Sequence, residues 1–89
     1  MSTVTIDKHG YGTVWSMEPS SKKLATHMRR IFRGAYWLYR SMYVDHRYIA
    51  QCARVLQDKG VRLARAEDGA AIWLNDAGVF VLATYKAAA

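Results

Sequence analysis

Six apolar residues recur with an alternating four–three spacing through the middle of the chain: Leu24, Met28, Ile31, Ala35, Leu38 and Met42. At 100° per residue all six stay within about 40° of one line on a helix surface. That spacing predicts one long amphipathic helix over 24–42. "EPSSKK" supplies its start, with Ser20 or Ser21 as the capping side chain. Gly34 falls inside the pattern and costs about 1 kcal/mol against alanine there. A second helix is expected to begin at Asp45 and bury Ile49, Cys52, Ala53 and Leu56. It closes at "DKG", with Gly60 as a left-handed terminal residue.

The flanking segments alternate with period two. Thr3–Ile6 and Tyr11–Met17, joined by "DKHGYG", read as a β-hairpin over 3–17. Three short strands are expected at Val61–Arg65, Ala70–Leu74 and Val79–Tyr85, separated by the turn sequences "AEDG" and "NDAG". The expected fold is α+β: an N-terminal β-hairpin, two central helices and a C-terminal three-stranded antiparallel sheet. At 89 residues this is a single domain, taken as 1–86, with the alanines at 87–89 read as a cloning remnant. Hydrophobic residues make up 52% of the chain, more than one small core covers easily. Both faces of the last strand are apolar, so a homodimer through the free sheet face is expected.

Charge is distributed unevenly. Residues 22–65 contain eleven Lys or Arg against Asp45 and Asp58, a balance of 11 − 2 = +9, whereas the whole chain carries +6. Eight of the thirteen basic residues are arginine, whose planar fork suits phosphate or carboxylate. The stretch "RRIFRGAYWLYRSMYVDHRY" holds five arginines and six aromatics with one acid. On the expected first helix Arg29, Arg33 and Arg40 fall opposite the apolar row, and Tyr36 and Tyr39 lie on its shoulder. On the second, Arg47 and Arg54 lie opposite Ile49 and Leu56. A helix built only for solubility interleaves Glu with Lys or Arg at i,i+4. Its absence here points to an external polyanion, most simply nucleic acid. The candidate nucleic-acid-binding residues are Arg29, Arg33, Tyr36, Trp37, Arg40, Arg47, Arg54, Arg62 and Arg65.

Residues 54–82 resemble the end of a winged helix–turn–helix domain of the MarR type. The resemblance rests on Leu56 and Gly60 at the end of a helix, on Asp68–Gly69 at a turn, and on "LNDAG" at 74–78. It implies a DNA-binding, transcription-regulating role in which Arg47, Gln51 and Arg54 face the major groove and Arg62 and Arg65 flank the wing. The chain departs from that family where one long helix replaces two short ones, and where "VFVLATY" reads as a strand. The alternative function is a protein-interaction module of the kind carried on phages or mobile elements, docking an acidic surface with the same arginines. A third option is a small-molecule pocket lined by Trp15, Trp73, Phe80 and Tyr85.

Catalytic and metal chemistry find little support in the residues. His9, His27 and His46 lie in separate segments, without a second ligand at metal spacing. Cys52, the only cysteine, falls in a buried row. The expectation is a binding protein without enzymatic activity, cofactor or metal. A single cysteine and the lack of a leader or a bilayer-length apolar run suggest a cytoplasmic location.

Overall fold

The computed structural model describes residues 2–84. The chain forms one seven-stranded sheet with two ten-residue helices. Strands β1 (Thr3–His9) and β2 (Val14–Pro19) form a hairpin around a short 3-10 turn at Gly10–Gly12. Helix α1 (Lys22–Ile31) leads into β3 (Tyr36–Leu38) and β4 (Ser41–Asp45). Helix α2 (Ile49–Asp58) leads into β5 (Arg62–Arg65), β6 (Ala71–Leu74) and β7 (Phe80–Leu82). The sheet order is β3-β4-β2-β1-β5-β6-β7. All neighbours are antiparallel except β1 and β5 at the centre, which are parallel.

This corrects the expected arrangement. The protein is α+β with two helices, but it has no separate N-terminal hairpin and C-terminal three-stranded sheet. The parallel β1–β5 ladder, pairing Val4 with Leu63, fuses them into one layer. Nor does a helix run from 24 to 42. It ends at Ile31, where Phe32 leaves helical geometry and Gly34 takes φ +82°. Leu38 is 44% exposed rather than buried. From Ser41 to Asp45 burial alternates, with Met42 and Val44 inside, because β-favouring Tyr36–Trp37–Leu38 and Met42–Tyr43–Val44 pair as a hairpin.

The helix that does form is capped as its sequence suggests: the Ser21 hydroxyl accepts the Leu24 N–H at 3.1 Å. Asp45, the expected cap of the second helix, instead ends β4, and Tyr48 occupies the cap position without a side-chain bond.

Register places the core on one face. Ile6, Met17 and Met42 lie in one row across β1, β2 and β4; Val4, Leu63 and Ile72 lie in another across β1, β5 and β6. Both rows are buried beneath Leu24 and Met28 of α1 and Ile49, Ala53 and Leu56 of α2. The opposite face carries the row Tyr36, Tyr43, Ser16, Asp7, which neither helix of the described residues covers. No helix among the described residues is long and apolar enough to cross a membrane.

Gln57 fixes α2 to the sheet. Its side chain donates to the Leu74 carbonyl and accepts the Leu74 N–H, both at 2.9 Å. The β5–β6 register carried two pairs further would set Val61 opposite Leu74. Val61 instead donates to the Leu56 carbonyl in the turn after α2. The Gln57 carboxamide therefore stands in for a strand residue and satisfies the end of β6.

Candidate nucleic-acid interface

The arginines expected to form one cationic face divide into two groups. In the first, each guanidinium already has a partner. Arg47 holds Asp45, with Nε 3.0 Å from Oδ1 and its backbone N–H 2.9 Å from the same oxygen. This keeps the Asp45 carboxyl below its ordinary pKa. Arg65 makes a two-pronged pair with Asp68, both distances 2.7 Å. With a further bond from the Ala70 N–H, it lowers the Asp68 pKa to about 2. Arg54 donates to the main-chain carbonyls of Leu74 (3.3 Å) and Asn75 (2.6 Å), tying α2 to the turn after β6.

The second group surrounds α1 and the β3–β4 turn. Between residues 20 and 44 the chain places Lys22, Lys23, Arg29, Arg30, Arg33 and Arg40, and no acid. All six are exposed, and none joins an ion pair among the described residues. Arg29, in the last turn of α1, lies over Trp37 of β3, its guanidinium carbon 4.0 Å from the ring centroid. Trp37 is half-buried on the helix side of the edge strand, so the contact restrains that guanidinium over the ring.

Arg33 lies in the loop after α1, and Arg40 in the two-residue turn Tyr39–Arg40 that joins Leu38 to Ser41. Together Glu18, Lys22, Arg29, Trp37, Tyr39 and Arg40 line an open hollow of about 470 Å³. On the other flank of α1 a shallow hollow of about 610 Å³ holds Lys23, His27, Arg30 and Lys59.

Tyr36 and Arg62 lie elsewhere. Tyr36 is 63% exposed on the uncovered sheet face, its ring 6.2 Å from that of Tyr43. Arg62 projects from β5 on that same face, in register with Thr3. The structure thus brings Arg29, Trp37 and Arg40 to one hollow, leaves Arg33 in the loop at the C-terminal end of α1, and separates them from Tyr36, Arg47, Arg54, Arg62 and Arg65. Sequence reasoning left Tyr39 and Arg30 out of the site. The expected continuous helix put Tyr39 on a helix shoulder instead of in a turn, whereas Arg30 is helical as expected and lies on the opposite flank of α1 from that hollow.

Two other side-chain constellations lie away from α1. His9 Nε2 lies 2.8 Å from the Ser16 hydroxyl, and Asp7 approaches the same nitrogen at 3.9 Å. A catalytic triad needs the carboxylate on the other ring nitrogen. Ser16 is also buried, beneath the His9–Tyr43 ring contact. Trp15 and Phe80 stack with centroids 5.9 Å apart and wall a groove of about 650 Å³ with Ile6 and Ile72. Trp73, paired with Val81, points to the opposite sheet face, and Tyr85 lies outside the described residues. The expected four-residue pocket is therefore not assembled.

Comparison with protein-family models, with curated proteins and with solved structures returns no match.

Proposed function

We propose that this protein binds nucleic acid through the pole formed by α1 and the β3–β4 turn. The observation that carries the reading is the run of six exposed Lys and Arg between residues 20 and 44 with no acid among them. Glu18 is the one carboxylate lining the hollow beside these cations, so most of their mutual repulsion is left for an external anion, and a row of phosphates relieves it best. The α2 side is the poorer surface. In the reading that the MarR resemblance implies, Arg47 and Arg54 would contact a major groove, yet here one holds a carboxylate and the other two carbonyls.

Fluorescence-anisotropy titration of a labelled oligonucleotide, in duplex and single-stranded form, tests the proposal. About four phosphate contacts give a log–log salt slope near −3, so affinity falls roughly 60-fold between 50 and 200 mM salt. Absence of binding at low salt, or binding indifferent to salt, would refute it. Salt-sensitive capture of an acidic protein with no response to either oligonucleotide would replace it by the protein-docking alternative.

A further inference from the structure

Resting on that reading, we propose that the Arg29–Trp37–Tyr39–Arg40 hollow receives an unpaired base, so that the protein binds single strands in preference to duplex. Three observations carry this. First, Arg29 is not a free charge on a flexible stem. Its guanidinium carbon lies 4.0 Å from the Trp37 ring centroid, so a planar cation restrained on an aromatic ring is at hand for a base to stack on. Second, Tyr39 sits at the first position of a two-residue hairpin turn with φ +55°, a conformation that suits glycine and is disfavoured for a bulky residue. Its side chain is 92% exposed and makes no ring contact among the described residues. The fold gains nothing visible from a tyrosine there. Strain held at an exposed aromatic on the rim of a cationic hollow points to a ligand that the ring touches.

Third, the hollow's volume of about 470 Å³ lies within the roughly 300–1,000 Å³ range of small-molecule sites. Its lining combines two kinds of chemistry. Lys22 and Arg40 suit a phosphate. Glu18, the one carboxylate, repels a phosphate but can accept from a base's exocyclic amino group. Duplex DNA keeps its base faces stacked and offers this hollow only phosphates; a single strand offers a face, an edge and a phosphate together.

The test compares a labelled single strand with its own duplex, using wild type, Tyr39→Gly and Arg29→Lys. The expected result is tighter single-strand binding by wild type. Tyr39→Gly should lose about tenfold on the single strand and leave duplex affinity unchanged. Because glycine takes positive φ without strain, this variant should hold or raise the melting temperature. Arg29→Lys keeps the charge but not the plane, and should weaken single-strand binding without altering the salt slope. Equal affinity of wild type for both forms, or an unchanged single-strand affinity in Tyr39→Gly, overturns the base pocket while leaving the polyanion reading intact. Failure of wild type to bind either form with salt dependence overturns both.

Discussion

Replacing Gln57 with leucine removes the two bonds that join α2 to the end of β6 while keeping most of the side-chain volume. The consequences at Leu74 are unequal. Its carbonyl retains the Arg54 Nη1 donor at 3.3 Å, so losing the Gln57 amide there costs under about 1 kcal/mol. Its N–H had Gln57 Oε1 at 2.9 Å, and Leu74 is 1% exposed, so water cannot take over. An orphaned buried donor costs about 1–3 kcal/mol.

Leucine's extra apolar burial offsets part of this, leaving a net loss of about 2 kcal/mol. In a domain of this size each kcal/mol shifts the melting temperature by about 4–8 °C, so Gln57→Leu should melt about 8–16 °C below wild type. Gln51→Leu, an exposed substitution on the same helix, serves as the control and should stay within about 0.5 kcal/mol. Thermal and urea unfolding followed by circular dichroism give both values. A shift under 3 °C for Gln57→Leu would refute the view that the carboxamide substitutes for a strand partner.

Other outcomes are equally specific. Cys52 is half-buried against the core, and burial raises its pKa, so it stays a thiol at neutral pH. A thiol reagent should react far more slowly with the folded protein than with urea-unfolded chain; equal rates would contradict this burial. The Arg65–Asp68 pair holds the Asp68 carboxyl at about 2, below its ordinary 3.8. A depressed carboxyl favours the fold above the unfolded value, so this stabilisation is complete above about pH 4 and disappears as pH falls through about 2. A carboxyl titration by NMR should find the Asp68 midpoint near 2, and a midpoint near 4 would show the pair to be absent in solution.

How far the sequence could be read depends on the range of the interactions. Ser21 as cap, Gly60 in the left-handed region at φ +84°, and the buried positions Ile49, Ala53 and Leu56 are set by neighbours within a turn or two. The segment 32–45 was misread because its apolar residues satisfy two periods at once. Met42 continues the helical row from Leu24 and also begins the strand alternation with Val44. The decision falls to Gly34 and to cross-strand partners in β2, which lies before α1. The β3–β4 turn escaped notice because Tyr39–Arg40 contains no Gly, Asn or Asp. The parallel β1–β5 ladder joins residues nearly sixty positions apart and leaves no local signature.

The candidate site was half legible for a related reason. A deficit of acids can be counted in sequence, but Arg54's partners are carbonyl oxygens, which carry no charge to count.

The cations around α1 and the β3–β4 turn are free of ion pairs among the described residues, whereas Arg47, Arg54 and Arg65 are committed to partners within the fold. Oligonucleotide affinity measured across a salt series for Arg30→Ala/Arg33→Ala/Arg40→Ala, beside Arg47→Ala/Arg65→Ala, tests this contrast most directly. The first variant should flatten the log–log slope by about 2 or more, since each lost phosphate contact removes about 0.7–0.9. The second should keep the wild-type slope. Equal slopes for the first variant and wild type, or an equal loss in both variants, would contradict it.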